Sequence, residues 1–383
     1  MDVYQQLDVD PIINAAGTLT RMSGSVMHPE VVQAMAAASQ CFVMMTELHE
    51  MAGRRVADLI GVPGAHVTAS ATAGIAVMAA AVMAGNDPLK ARQLPDTTGM
   101  ADSWVVIEAH RNPFDQALRL VGGRFVGVES DAGQLRQALG GESVAGVFYT
   151  FSWFNTGHAL SLAEVASIAH EMEKPVIVDA AAEIPPVGHL RRFIDEGADL
   201  VAFSGGKALC GPQASGVILG RDPALIAACA TNDSPNMSVG RGMKAGKEEI
   251  VGLVKAIELY LARDHDADLI LWEGRVEQLL NAASTVPGVT AWRQMPFGEG
   301  QQIPHAAISW DEQVLRCTYE QVIDTLRDGR PRIAVQFIQE SVYRFASETG
   351  PQIRLHPHTL AEGEAQIVAD RLQDALRGSS PGR

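Results

Sequence analysis

Cysteine is scarce: Cys41, Cys210, Cys229 and Cys317 are the four in a chain of 383 residues. They are scattered, with neither the paired spacing of a disulfide framework nor the ligand spacing of a zinc site, and they suit a reducing cytosol. Basic residues are also short, 30 Lys and Arg against 45 Asp and Glu, for a net charge of −15. That balance excludes the broad basic face needed to hold nucleic acid or an anionic membrane surface. Long apolar runs are missing, with one exception at residues 67–85, which carry no charge. That run is long enough to span a bilayer, but it is rich in Ala, Gly, Ser and Thr, so it reads as a turn followed by a buried helix. The opening "MDVYQQLDVD" lacks the basic-then-apolar pattern of a secretory signal. No fixed-period repeat and no low-complexity linker occur, and the closing "RGSSPGR" reads as a flexible tail.

What remains is a globular chain, 47% hydrophobic and 20% charged, able to bury a large core. From about residue 55 to 220, "SWVVIEA", "RFVGVE", "VAGVFYTF", "KPVIVDA" and "DLVAFSG" read as buried strands. "DQALRLVGG", "DAGQLRQALGG", "SLAEVASIAHEMEK" and "HLRRFIDEGA" lie between them and read as helices. The alternation predicts an α/β fold, a mostly parallel sheet with helices on both faces. Residues 247–285 read as one long helix. Strands near Thr290, His305 and Ile333 then mix with helices, which predicts a smaller α+β domain. The expected division is an N-terminal segment and large domain over 1–263, a small domain over 264–377 and a tail over 378–383.

Two residues in the alternating region stand out. Asp179 closes one buried strand, and Lys207 follows the next, between the glycine turns of "FSGGKALCGPQASGVILG". One crossover separates them, which sets both at the same edge of the sheet, where open α/β sheets bind ligands. Three readings are open. The pair is a structural ion pair, or Lys207 binds the phosphate of a nucleotide, although no GxxxxGK[ST] motif is present. In the third, Lys207 joins the aldehyde of pyridoxal 5'-phosphate while Asp179 keeps the pyridine nitrogen protonated. That reading also needs an anion cup. Ser70, Ala71, Thr72, Ala73 and Gly74, small residues leading into a long apolar helix, provide one, and Ser204 adds a hydroxyl before the lysine.

These motifs, with "PIINAAGTLTRMSG", "VTASATAGIAVMAAA", "KPVIVDAAAE" and "GRGMKAGKEEIVGLVKAIE", resemble the fold-type-I pyridoxal-phosphate enzymes of the selenocysteine-synthase-like (SelA-like) group. The resemblance reaches from residue 11 to about 260, with weaker segments "LRDGRPRIAV" and "TLAEGEAQIVADRL" beyond. It implies that Lys207 carries the cofactor, Asp179 faces the ring nitrogen, and residues 70–74 with Ser204 hold the phosphate. His110 would stack on the ring and, with Lys207 after protonation, is a candidate catalytic acid for the leaving hydroxyl; residues 151–155, "FSWFN", would line the pocket or the core. The "INAAGT" motif begins at Ile13, leaving little chain ahead of it for a tRNA-gripping region. With the acidic balance, this favours the ammonia-lyase-like members, a small amino substrate and no nucleic acid. The resemblance also implies a homodimer or higher homo-oligomer.

Other candidates are weaker. "HPH" at 356–358 lacks a third metal ligand at suitable spacing and reads as a surface loop. Arg332 and Arg354 lie in the small domain, which in this fold often supplies an arginine for the substrate carboxylate. Arg241 and Lys244 read as a basic helix start, an oddity that points to an anionic partner. By the resemblance Arg241, Lys244 and Arg332 are candidate substrate contacts. The expected reaction is α,β-elimination with release of ammonia and a 2-keto acid. Aminotransferase, racemase and aldolase chemistry, or a non-catalytic binding protein with this fold, stay open at this stage.

Overall fold

The computed structural model describes residues 3–151, 160–296, 300–339 and 350–378. The chain clusters into two compact units, Ser25–Arg263 and Met1–Gly24 with Asp264–Arg383. Strand β1 (Ile12–Ala15) belongs to the second of these.

The larger unit is built on seven strands: β2 (Gly64–Thr68), β3 (Ser103–Ile107), β4 (Arg124–Val128), β5 (Val144–Thr150), β6 (Val176–Asp179), β7 (Leu200–Ser204) and β8 (Gly216–Gly220). Their order across the sheet is β2-β8-β7-β6-β5-β3-β4. Only β8 runs antiparallel to its neighbours, and the other six strands point the same way. β3, β5, β6 and β8 are buried along their whole length, as expected when helices cover both faces. Helix Ala71–Ala84 buries twelve of its fourteen residues. It packs against β6, β7 and β8, and its Ala-rich sequence permits that close approach. This is the uncharged run of the sequence. Among the described residues no helix is long and apolar enough to cross a membrane. Helix Leu162–Glu171 starts on a capping box, Ser161 with Glu164, which fixes where the crossover from β5 turns back toward β6.

The long helix expected over 247–285 is two helices, Lys247–Leu261 and His265–Ser284. The break has a local cause. The Asp264 carboxylate accepts from the Ala267 N–H at 2.9 Å, and such an N-cap begins a new helix where hydrophobic periodicity alone shows none.

The smaller unit holds a five-stranded sheet in the order β1-β11-β12-β10-β9, with β9 (Val289–Gln294), β10 (His305–Trp310), β11 (Arg332–Ile338) and β12 (Gln352–Leu355). β1 pairs parallel to β11, Ile12 opposite Arg332, and the remaining pairs are antiparallel. The first 24 residues therefore cluster with the C-terminal unit, not with the large domain to which the sequence assigned them. β1 and β12 have four residues each, too few for an alternating pattern to stand out. Its core holds Ile13, Val276, Leu279, Ile308, Val322 and Leu372 together with the stacked rings of Trp310 and Tyr319.

Candidate active site

The registers of the large sheet align the site. Thr150, Asp179 and Ala202 stand in one row across β5, β6 and β7. Two residues further on, Ser204, Gly216 and Thr68 form a second row across β7, β8 and β2. Because β2 runs with β7, the turn into helix Ala71–Ala84 leaves the sheet at the same C-terminal edge as Asp179 and the turn bearing Lys207. One edge thus gathers the acid, the lysine and the helix start; spacing predicts the first two there, and the pairing of β2 with β8 adds the third.

Asp179 is buried at 6% exposure. Burial pushes its carboxyl above the ordinary value; the Ala181 N–H, at 3.0 Å, and the Lys207 charge pull it back, while Asp115 adds to the rise. Lys207 keeps part of its surface open, yet its ammonium is closely surrounded by protein, and burial lowers its pKa against the opposing charges of Asp179 and Glu183. Desolvation disfavours both ions, and their mutual attraction favours both. Glu183, buried four residues after Asp179, was missed in the sequence. Its one signal there is an acid in an otherwise small-residue turn.

Gly205 and Gly206 answer to the packing of the turn itself. A Cβ on Gly205 would lie 2.0 Å from the Ser215 Oγ, and one on Gly206 would lie 2.6 Å from the Gln213 Cα. They let the turn fold onto its own return, so that Lys207 is held by a rigid loop.

The Ser70 Oγ caps helix Ala71–Ala84, accepting from the Ala73 N–H at 3.0 Å. The Gly74 N–H donates to the Ser70 carbonyl at 2.8 Å. Ala73 and Gly74 therefore spend their N–H groups inside the turn. Those of Ala71 and Thr72 precede the helix ladder and have no partner among the described residues. The Thr72 side chain is exposed. Of the five residues expected from sequence to form an anion cup, the groups left bare are two N–H groups, the Thr72 hydroxyl and the Ser70 O–H. Gly216 sets its floor, since a Cβ there would lie 2.4 Å from the Ser70 carbonyl carbon and 2.7 Å from the Ala71 nitrogen.

His110 follows β3 at the same edge and is buried. Its ring meets Tyr149 edge-on at 4.6 Å, and burial lowers its pKa to about 4. It is neutral at pH 7, which suits an aromatic platform and not a cationic acid. Asn112, also missed in the sequence, holds this segment, donating from Nδ2 to the His110 carbonyl at 2.9 Å and to the Thr150 Oγ1 at 3.3 Å. Phe151 packs on Phe193 at 4.9 Å, as core. The rest of the expected aromatic stretch, residues 152–155, lies outside the described residues.

Of the substrate candidates, Arg241 and Lys244 belong to the larger unit and Arg332 to the smaller. Arg241 sits on a short 3-10 turn, Arg241–Met243, and both it and Lys244 are exposed. Neither opens a helix. The next helix starts at Lys247 with Glu248 and Glu249 in its first turn, the ordinary acidic start, so the oddity that suggested an anion disappears. Arg332 donates from Nε to the Arg327 carbonyl at 3.1 Å. In the smaller unit Arg354 is 2% exposed. The HPH segment is not a surface loop: His356 is buried, 2.7 Å from the Gln336 Oε1 through Nε2, and its ring lies tilted against that of His305 with centroids 4.1 Å apart.

The edge of the large sheet fits pyridoxal phosphate. Asp179 is a buried acid with one backbone donor, and a protonated ring nitrogen would give it a cation beside that of Lys207. The bare N–H groups and hydroxyls at the start of helix Ala71–Ala84 suit a phosphate, and Lys207 presents an amine whose charge burial already disfavours.

Comparison with known proteins agrees. A family model for L-seryl-tRNA selenium transferase matches residues 150–281. The chain is 33% identical to the D-glucosaminate-6-phosphate ammonia lyase of Salmonella typhimurium, over 97% of each chain. The solved structure of a D-glucosaminate-6-phosphate ammonia-lyase superposes with a TM-score of 0.82 at 31% identity, covering 100% of both chains. A Streptomyces 5'-C-glycyluridine monooxygenase-decarboxylase is 31% identical over 99% of this chain and 93% of its own. At 12% identity and a TM-score of 0.61, the serine palmitoyltransferase of S. paucimobilis, solved with bound PLP, covers 96% of this chain and 88% of its own and shares the fold. The chain belongs to the SelA-like family of fold-type-I enzymes that use pyridoxal phosphate.

Proposed function

We propose that the chain is an ammonia lyase that converts a 2-amino-3-hydroxy sugar acid, carrying a phosphate at its far end, into a 2-keto acid and ammonia. The observation that carries this reading is near-full-length similarity to an ammonia lyase in a chain that keeps Lys207 and Asp179 together at one sheet edge. When bound, pyridoxal phosphate supplies an electron-poor ring that spreads the charge left at the substrate's α-carbon. Ala71, Thr72, Ser70 and Ser204 hold its phosphate in this reading, and Asp179 holds its ring nitrogen. His110, neutral and buried, covers a face of the ring.

Lys207 does the proton work. Its lowered pKa leaves the Nζ lone pair available to take the α-hydrogen. The ammonium so formed returns that proton to the departing β-hydroxyl, which leaves as water. Tautomerisation and hydrolysis of the resulting enamine consume one water and release ammonia, so the net change is substrate to keto acid plus ammonia. No oxidant and no keto-acid acceptor is needed. Asp179 and Glu183, near Lys207, favour its protonated state in the second half of this exchange. The same reading makes the protein a cytosolic homo-oligomer that binds no nucleic acid.

The test is incubation of the cofactor-loaded protein with D-glucosaminate 6-phosphate and no acceptor, with ammonia and 2-keto acid measured. Equal amounts of the two are expected. Product formed only with oxygen and accompanied by carbon dioxide, as the name of the Streptomyces relative suggests, would overturn the lyase reading. Borohydride reduction followed by peptide mapping should place the cofactor on Lys207, and labelling of another lysine would overturn that role.

A further inference from the structure

Strand β2 ends on Thr68, which is 0% exposed. Valine has nearly the same shape and suits a buried strand, whereas a hydroxyl taken out of water costs free energy unless it is bonded. The Thr68 hydroxyl donates to the Ser70 carbonyl at 2.9 Å. Neither the proton exchange at Lys207 nor the cup of bare N–H groups and hydroxyls accounts for it.

The Ser70 carbonyl is where strand and helix meet. It accepts from the Gly74 N–H at 2.8 Å on the helix side and from Thr68 on the strand side. A Cβ on Gly74 would lie 3.4 Å from the Thr68 Oγ1, the Ala202 Cβ and the Ile218 Cγ1, so the hydroxyl sits in the seam between helix and sheet. Gly216 pairs with Thr68 in the ladder and lies flat beneath the same peptide. A Cβ there would lie 2.7 Å from both the Ser70 oxygen and the Ala71 nitrogen.

The Ser70 carbonyl and the Ala71 N–H are the two ends of one trans peptide, so they point in opposite directions. Two bonds that hold the carbonyl against the helix and the strand therefore hold the Ala71 N–H away from both. That N–H is one of the two left bare at the helix start. A second bond to the carbonyl also polarises the peptide and makes its N–H a stronger donor. With valine at position 68 the carbonyl would keep the Gly74 bond alone, and the peptide plane could tilt about it.

We propose that Thr68 is a positioning residue for the cofactor phosphate: acting through the Ser70 carbonyl, it aims the Ala71 N–H at the anion. The proposal rests on the reading of the Ala71–Ala84 helix start as the phosphate cup and adds the group that orients it. Thr68 itself touches neither cofactor nor substrate.

The test compares two ligands on the cofactor-free full chain. One is pyridoxal 5'-phosphate, and the other is pyridoxal, which has the same ring and aldehyde without the phosphate. Dissociation constants are read from quenching of tryptophan fluorescence. Thr68→Val should weaken pyridoxal phosphate by about fivefold, the effect of one hydrogen bond, and leave pyridoxal within twofold. Thr68→Ser, which keeps the hydroxyl, should bind both as the unaltered protein does. Circular dichroism should show the native fold in each. If Thr68→Val does not fold, Thr68→Ala, which adds no bulk, should show the same selective loss. An equal loss for the two ligands would make Thr68 a packing residue and overturn the proposal, as would an unchanged affinity for both or a loss in Thr68→Ser as large as in Thr68→Val. If the unaltered protein binds the two ligands equally, the phosphate cup itself is overturned and this role with it.

Discussion

Burial drives Lys207 and Asp179 each toward its neutral form, and each one's charge draws the other back. The balance makes an amine that can lose its proton and a carboxylate that needs a cation. The first expectation follows from removing one side. In Asp179→Asn, burial acts on Lys207 against the Glu183 charge without that of Asp179, so the amine becomes easier to deprotonate. In the cofactor-free chain, Lys207 should then react with an acylating reagent at a lower pH than in the unaltered protein. A pH dependence that is unchanged, or moves upward, would contradict the coupling.

The same substitution should cost the reaction far more than the fold. A buried carboxylate next to a developing charge is worth a hundredfold or more in rate, about 3 kcal/mol. The amide removes a buried negative charge from the cofactor-free protein, so its melting temperature should hold or rise. Turnover within a few-fold of normal would remove Asp179 from the site.

Gly216→Ala tests the floor of the anion cup. Its Cβ would press on the Ser70 carbonyl carbon at 2.4 Å, and overpacking of this kind costs roughly 1–3 kcal/mol. Cofactor affinity should fall with it, read from the free pyridoxal phosphate needed for half-saturation. Gly274→Ala is the contrast. That glycine lies exposed within helix His265–Ser284 with nothing within 4 Å of an added Cβ, and alanine there should stabilise by about 0.5–1 kcal/mol. Equal effects from the two changes would contradict the packing described.

Acid should unfold the protein in a window set by its buried histidines. Burial lowers His110 and His49 to about 4 from 6.5; for His49 the neighbouring His66 adds to the fall and Asp233 opposes it. Between pH 6.5 and 4 the unfolded chain binds protons that the folded chain refuses, so stability drops as pH falls through that range. Each histidine contributes up to about 3 kcal/mol to the drop. The urea midpoint should therefore be lower at pH 4.5 than at pH 7, and His49→Phe should remove part of the difference. A midpoint constant across the range would contradict this.

Much of the site was readable in one dimension because parallel β/α order converts sequence into position. Strand ends fall on one edge of the sheet, so Asp179 and Lys207 are placed together by their spacing alone, while the Ser70 turn joins them only through the pairing of β2 with β8. Pattern also found the buried strands, since a strand covered on both faces is apolar throughout. It did not separate helix Lys247–Leu261 from His265–Ser284, because one capping carboxylate, Asp264, interrupts no periodicity.

The sequence by itself determined the order of strands and helices, the edge at which the site forms and the residue types it holds. Tertiary structure alone decided the rest, since those properties depend on atoms far apart in the chain. Burial fixed the protonation tendencies of Lys207, Asp179 and His110. The approach of Ser215 and Gln213 gave Gly205 and Gly206 their purpose. The Ser70 cap consumed the N–H groups of Ala73 and Gly74, leaving those of Ala71 and Thr72 for an anion. Pairing with β11 drew the N-terminal strand into the C-terminal unit, because four residues can form a sheet edge only where a distant strand leaves one open.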